Sequence, residues 1–304
     1  KYVEDATRAI LPVLREGNLV ILESTSPART CSHLIAPILA ESGLKVGEQI
    51  FLAHCPERVL PGQIMKEVVE NDRVIGGINR ESALAAQELY ASIVKGQIFL
   101  TDATTAEMVK LVENSFRDVN IAYANELSMI CDELGLNVWE LISLANRHPR
   151  VSILRPGAGV GGHCIAVDPW FIVDTCPQRA RLIRTAREVN DSKPHWVVEK
   201  VKQAAERFKK PVIGLLGLAF KQDIDDLRES PALDIARHLK KEKLGELLVS
   251  EPFVKSHPDF SLMKPEDVVK KSDIVVLLVP HRAFKEIDKE LLKPKVVIDT
   301  CGIW

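Results

Sequence analysis

Short apolar runs alternate with amphipathic helical segments at both ends of this chain, while its middle third is mostly helical; this pattern constrains the fold most. Near the start, an amphipathic helix (Val3 to Leu14) leads through Gly17-Asn18 into the apolar run Leu19-Val-Ile-Leu22. A helical pattern from Thr30 to Ser42, a strand Ile50 to Ala53, a short strand at Val74-Ile75, a helix Arg80 to Val94 and an extended stretch Gln97 to Leu100 follow. The alternation resumes at Pro211-Val-Ile-Gly-Leu-Leu-Gly217, a buried strand running into a loop. Helix Ala232 to Lys243, strand Leu247 to Val249, helix Pro265 to Lys271, strand Ile274 to Val279, a short helix Arg282 to Ile287 and strand Val296 to Asp299 complete it. Such alternation builds mainly parallel sheets covered by helices. The expected fold class is α/β: two Rossmann-like doubly wound domains, the first incomplete, joined by a central helical domain with a long spine helix. The expected boundaries are 1–103, 104–209 and 210–304. The chain opens in a helix, with no initiator Met and no strand and glycine loop before it, so an N-terminal part is expected to be missing.

In the middle third, Thr104-Thr-Ala-Glu107 is a capping-box signature. The helix after it is expected to run to Gly135, with Met108, Leu111, Val112, Phe116, Val119, Ala122 and Leu127 as its apolar stripe. Lys110 and Asn114 stand four apart and Arg117 three further on, so the three share a face. An ammonium beside an amide can hold a hydroxyl, a carbonyl oxygen or an oxyanion; a solvated polar face is the plainer alternative. A second helix (Val138 to Asn146) ends near His148-Pro149-Arg150, and further helices are expected at Trp170 to Asp174, Ala180 to Asp191 and Pro194 to Phe208.

The stretch Arg155-Pro-Gly-Ala-Gly-Val-Gly-Gly-His-Cys164-Ile-Ala-Val-Asp168-Pro concentrates the chemistry. Its glycines (157, 159, 161 and 162) allow positive φ and close approach of backbone to a ligand. A thiol presented from such a loop can lose its proton and act as a nucleophile. The alternatives are a buried structural cysteine and, for Asp168, a helix cap followed by Pro169 at the first helical position. Ligands of open α/β sheets collect where strands end, which places Thr25 and Glu57 in loops of interest; ordinary turn chemistry explains them equally well. Gly214 and Gly217 do not make the G-x-G-x-x-G of a dinucleotide loop.

Net charge is −2 over 304 residues, which gives no reason to expect nucleic acid or a membrane surface as partner. The apolar runs are strand-length and too short for a membrane span. The six cysteines include no C-x-x-C pair, which argues against zinc and a disulfide framework and for reduced, cytoplasmic thiols. No metal site is expected.

With these residues assembled, the sequence resembles the UDP-sugar 6-dehydrogenases, the UDP-glucose/GDP-mannose dehydrogenase family. The resemblance is carried by Glu23-Ser-Thr-Ser-Pro27, Cys55-Pro-Glu-Arg-Val-Leu-Pro-Gly62, Ala106-Glu-Met-Val-Lys110-Leu-Val-Glu-Asn114-Ser-Phe-Arg117, Ala145-Asn-Arg-His148-Pro-Arg150, Gly159-Val-Gly-Gly-His-Cys164-Ile-Ala-Val-Asp168-Pro, Phe220-Lys221 and Asp225-Asp-Leu-Arg228-Glu-Ser-Pro231. The motifs run in order along nearly the whole chain. The departure is the absent glycine motif that holds the NAD pyrophosphate, so residues 1–103 correspond to the C-terminal half of the family's NAD-binding domain.

The resemblance implies a four-electron oxidation of the C6 hydroxyl of a UDP-hexose to a carboxylate, with NAD as cofactor and an N-acetyl-D-mannosamine sugar as the first choice. Cys164 corresponds to the nucleophile that holds a thiohemiacetal and then a thioester. Lys110 corresponds to the acid/base or oxyanion-stabilising lysine, Asn114 to its partner, and Asp168 and Glu57 to carboxylates that manage protons and water. Thr25, Glu57 and Arg228 fall on the cofactor side. Arg58, Val59, Lys110, Asn114, Arg117, His148, Arg150, Gly159, Phe220 and Lys221 correspond to the sugar-nucleotide pocket. A homodimer is implied, with His148 and Arg150 reaching the other subunit's site. Two other readings stay open: a nucleotide-sugar-binding remnant without catalysis, favoured by the missing glycine motif, and a cysteine hydrolase using His163.

Overall fold

The computed structural model describes residues 1–59 and 63–304, so Leu60, Pro61 and Gly62 of the Cys55–Gly62 motif lie outside the described residues. The chain divides into two compact units, 1–115 with 168–180 and 116–167 with 181–304.

The first unit opens with α1 (Tyr2–Ile10), then β1 (Leu19–Leu22), a π-helical turn (Cys31–Ile35) that tightens into α2 (Ala36–Ala40), β2 (Phe51–His54), α3 (Ile64–Glu70), β3 (Arg73–Gly77), α4 (Arg80–Ala91) and β4 (Ile98–Asp102). Its sheet has the order β1-β2-β3-β4. The pairs β1–β2 and β3–β4 are parallel, as the alternation predicts. β2 and β3 run antiparallel and pair only through Ala53↔Gly77 and His54↔Gly76. Here the connection through α3 enters β3 from the edge at which β2 ends. Gly76 is required at this seam: a Cβ there would lie 2.3 Å from the Asp102 carbonyl oxygen. Leu52 packs with Cys31, Ile35 and Leu39 on one face of the sheet, and Ala53 with Ile75 and Ala86 on the other.

Helix α5 (Ala103–Leu134) is the expected spine. Its cap differs from the expected Thr104–Glu107 box. Asp102 accepts the Thr105 N–H at 2.9 Å and the Thr105 hydroxyl at 2.6 Å. Glu107 instead reaches across to the Arg29 and Cys31 backbone N–H groups (2.5 and 2.7 Å), satisfying donors at the start of the Cys31 turn. The expected apolar stripe is also only partly buried: Leu111 and Ala122 are inside, whereas Val112 and Phe116 are exposed.

In the second unit, α5 continues with Asp118, Ala122 and Asn125 inside, followed by α6 (Val138–Ala145); α7 (Asp168–Thr175) returns to the first unit. Helix α8 (Arg181–Ala205) is one continuous element through Pro194, where two helices were expected. Proline removes a helix N–H and usually interrupts. Here side chains hold both flanks: Arg187 and Asn190 bond to Asp118 (2.6 and 2.8 Å) before it, and Val197, Val198 and Val201 enter the core after it.

The second sheet comprises β5 (Val212–Leu216), β6 (Glu246–Ser250), β7 (Ile274–Leu277) and β8 (Val296–Asp299), with helices α9 (Pro231–Glu242), α10 (Pro265–Lys271) and α11 (Arg282–Lys285) between them. All pairings are parallel in the order β6-β5-β7-β8. As the sequence predicts, Ser230 caps α9 by accepting the Leu233 N–H, and Pro231 takes the first helical position. The order reverses beside β5, so the carboxyl ends of β5 and β7 flank a crevice at the topological switch point.

Candidate active site

In the first unit, α5 and the start of α7 bring three expected residues together. Asn114 donates from Nδ2 to Asp168 Oδ2 at 2.5 Å. Asp168 is almost fully buried, and burial raises its carboxyl above the usual range, with the Asn114 bond and the Lys110 charge opposing. The carboxyl thus serves a side-chain partner on α5 and is more than a helix cap. Lys110, one turn before Asn114, is half-buried. An ammonium, an amide and a buried carboxyl whose affinity for a proton is raised form a set able to accept and return a proton.

Glu57 and Arg58 are committed differently. Glu57 Oε1 accepts the backbone N–H groups of Arg58 (2.6 Å) and Val59 (2.8 Å), and Oε2 lies 3.4 Å from the buried Arg73 guanidinium. Arg58 forms a two-pronged ion pair with Glu113 (2.7 and 3.3 Å), the residue before Asn114. The pair ties the 57–59 loop to α5. The sequence reading missed Arg73 and Glu113; the one signal available was Glu113 beside Asn114 on the same helix.

In the second unit, the glycine loop is shaped by what it packs against. A Cβ on Gly161 would lie 2.3 Å from the Glu229 carbonyl oxygen and 2.9 Å from the Phe220 Cβ. Gly162 has φ +87° and lies against the Phe220 ring. Glycine is required at both positions for the loop to lie against Phe220. Cys164, two residues on, is a free and exposed thiol, not the buried cysteine that the alternative reading required. A cleft of about 260 Å³ lies beside this loop, lined by Arg155, Gly159, Phe220, Lys221, Gln222 and Pro280. It sits at the carboxyl ends of β5 and β7, the place where such sheets take ligands.

Arg228 is exposed and gripped by Asp226 (Nη2 to Oδ2 2.8 Å), which holds the Asp226 carboxyl down at about 2. The same carboxylate lies 3.8 Å from His163, so the ring adjacent to Cys164 faces an acid. Arg117, His148 and Arg150 are exposed. The His148 ring accepts the Arg150 backbone N–H at 3.3 Å. Lys110, Asn114, Asp168, Thr25, Glu57, Arg58 and Val59 belong to the first unit, and Cys164, Gly159, Phe220, Lys221, Arg117, His148, Arg150 and Arg228 to the second. Among the described residues no His, Cys, Asp and Glu cluster is arranged to hold a metal, and no helix is long and apolar enough to cross a membrane.

Three profiles of one family match the chain in order. The NAD binding domain of the UDP-glucose/GDP-mannose dehydrogenase family matches residues 1–94, its central domain residues 104–192 and its UDP binding domain residues 214–304. The chain belongs to the UDP-glucose/GDP-mannose dehydrogenase family. It is 59% identical, over its whole length and 74% of the relative's, to an NDP-N-acetyl-D-galactosaminuronic acid dehydrogenase from Ralstonia solanacearum. It is 52% identical to a UDP-N-acetyl-D-mannosamine dehydrogenase from Escherichia coli, covering all of this chain and 77% of that one. Among solved structures, a UDP-D-ManNAc dehydrogenase from Pyrococcus horikoshii matches with a TM-score of 0.91 at 41% identity, over 100% of this chain and 73% of that one.

Membership of this family makes the chain an NAD-dependent UDP-sugar dehydrogenase. β1 and β2 end in register at Leu22 and His54, so the loops bearing Thr25 and Glu57 leave the same edge of the sheet. Thr25 is half-buried there, and its hydroxyl has no partner among the described residues. The helical start at Cys31 is no cradle for a diphosphate, because Glu107 already occupies its N–H groups and places a carboxylate where a phosphate would have to sit.

Proposed function

We propose that this dehydrogenase oxidises the C6 hydroxyl of a UDP-hexose to the carboxylate, with UDP-N-acetyl-D-mannosamine as substrate and UDP-N-acetyl-D-mannosaminuronate as product. The observation that carries the reading is the exposed Cys164 thiol on a glycine loop packed against Phe220, beside the switch-point cleft of the domain matched to UDP binding. NAD, when bound, would accept the two hydrides of the four-electron oxidation, one per NAD+, with Thr25 and Arg228 as its contacts.

The chain's own residues divide the remaining work. The Cys164 sulfur adds to the C6 aldehyde carbon, forming a C–S bond and turning the carbonyl into an oxyanion that becomes the thiohemiacetal hydroxyl. At the thioester stage, water adds to the acyl carbon and the C–S bond breaks, returning the thiolate and leaving a carboxylic acid that loses its proton to solvent. Lys110 stabilises the oxyanion or transfers its proton, Asn114 holds Asp168, and Asp168 takes up the proton that the water loses. Glu57 shapes the 57–59 loop through its backbone bonds. Arg and Lys suit a diphosphate, and Arg58, Val59, Arg117, Gly159, Phe220 and Lys221 are assigned to the sugar nucleotide. The three-part division at 1–103, 104–209 and 210–304 follows the same reading.

A homodimer is part of the proposal. Phe116, Tyr123, Ile130 and Leu134 leave an exposed apolar line along α5, and His148 and Arg150 stand exposed to serve a second subunit. Six free cysteines favour a reducing, cytoplasmic setting.

A second substrate reading has its own support: the 59% identical relative is named for an N-acetyl-D-galactosaminuronic acid. A panel of UDP-glucose, UDP-N-acetylglucosamine, UDP-N-acetylgalactosamine and UDP-N-acetylmannosamine, read by NADH yield per sugar, tests both readings. Two NADH per N-acetylmannosamine sugar is the expected result; turnover of only the galactosamine sugar selects the second reading. No NADH from any of them, with UDP still bound, would return the chain to a binding role. Cys164→Ala should abolish carboxylate formation while UDP-sugar binding stays within several-fold, and normal turnover would remove the thiol from the mechanism.

A further inference from the structure

Glu251 directly follows β6, and His281 lies just beyond β7; both are buried, at 4% and 0% exposure. Glu251 Oε2 accepts the backbone N–H groups of Leu218 (2.7 Å) and Ala219 (3.0 Å), just beyond β5, and lies 3.2 Å from His281 Nε2. Its Oε1 accepts the Phe253 N–H at 3.1 Å. Four donors converge on one side chain, and a carboxylate is the group that accepts at all its sites and donates at none. On the other side of the imidazole, Nδ1 accepts the Asp223 N–H at 2.9 Å. That bond places the ring proton on Nε2, pointing at Glu251. Phe253, tilted, and Phe284, edge-on, pack against the ring, with centroids 5.0 and 5.4 Å away. Asp223 is held in the left-handed region (φ +58°) while its carboxylate takes the Arg282 N–H and Nε.

The segment 218–223 is therefore pinned at its start by the residue after β6 and at its end by the residue beyond β7. Its middle, Phe220 and Lys221, forms a wall of the switch-point cleft. We propose that Glu251 and His281 are positioning residues for the nucleotide-sugar cleft, a buried clip that holds Phe220 and Lys221 in their binding geometry before ligand arrives. The inference rests on reading that cleft as the UDP-sugar site. Without the clip, binding must also order the segment, and the apparent dissociation constant rises by the reciprocal of the fraction already ordered.

The test compares wild type, Glu251→Gln, His281→Gln and Lys221→Ala for UDP affinity by calorimetry, KM for UDP-sugar and NAD, kcat and thermal midpoint. Glu251→Gln keeps the shape but turns an amide N–H toward a backbone donor, and should raise the UDP dissociation constant and the UDP-sugar KM roughly tenfold. The NAD KM and kcat should not move. His281→Gln retains a donor toward Glu251 and should show a smaller rise, which keeps the idea testable if Glu251→Gln does not fold. Unchanged UDP affinity in both, with Lys221→Ala weakening UDP, overturns the clip and leaves the cleft reading standing. An equal loss of UDP and NAD affinity, tracking a lowered thermal midpoint, makes the pair merely structural and also overturns it. If Lys221→Ala leaves UDP affinity intact, the cleft reading itself fails.

Discussion

The Asn114 amide donates to the Asp168 carboxylate at 2.5 Å, joining the spine helix to the first residue of α7. The carboxyl is buried, so its charged form lacks solvation, and its affinity for a proton is raised. A raised value means that the folded chain holds this proton more tightly than the unfolded chain. The group's contribution to stability is then greatest at low pH and falls as pH rises from the unfolded value of 3.8 through the raised one. At neutral pH the buried carboxyl therefore opposes folding.

Asp168→Asn separates the two consequences. The amide still offers Asn114 an acceptor oxygen, and the buried charge is gone, so the thermal midpoint at neutral pH should match or exceed wild type. Turnover should fall by roughly 10²-fold or more, the scale of a lost acid/base group. Calorimetry and NADH formation on the same preparation check both; a destabilised variant with normal turnover would reverse the assignment.

Much of this was legible in the residues, and the failures have physical causes. Apolar strand runs and the Ser230-Pro231 start of α9 were readable because strand burial and caps are local. The continuity of α8 through Pro194 was not, because distant Asp118 and Asn125 hold its flanking turn. The cap of α5 was misplaced since Asp102 competes with Thr104 for the same orphan donors, while Glu107 serves a different helix. The local motif placed Glu57 among the functional residues, but its bonds to its own loop depend on the fold. Glu251 and His281 escaped notice although each lies at the end of an apolar strand, where functional side chains of open sheets gather.

His54 ends β2 with 0% exposure, and among the described residues neither ring nitrogen makes a hydrogen bond of full geometry. Burial pushes its pKa down from 6.5 to about 4, with the Leu22 carbonyl opposing. Between those values the unfolded chain takes a proton that the folded chain refuses. The stabilisation from a neutral His54 is therefore present above pH 6.5 and lost as pH falls toward 4. Urea unfolding should show that His54→Leu loses less stability than wild type between about pH 7 and pH 4, by roughly 2 kcal/mol. Parallel pH profiles for the two proteins would assign the acid sensitivity elsewhere.

Lys193 is buried on α8, with Nζ donating to the Ser128 hydroxyl at 2.6 Å and lying 3.7 Å from the centroid of the Trp196 ring. Desolvation lowers its pKa from 10.5 to about 7, and the Asp132 charge opposes this. Here the sign runs the other way from Asp168. Above about pH 7 the folded chain releases a proton that the unfolded chain keeps until 10.5, so stability from this group rises with pH across that interval. Lys193→Met keeps the stem that packs on Trp196 and removes the titration. The wild-type thermal midpoint should gain relative to Lys193→Met from about pH 7 to pH 9, with the variant at least as stable at pH 7, where the buried ammonium of the wild type is poorly solvated. If wild type is the more stable protein at pH 7 and its advantage shrinks as pH rises, the ammonium is a net stabiliser held by Ser128 and Trp196, and burial is not what governs its proton.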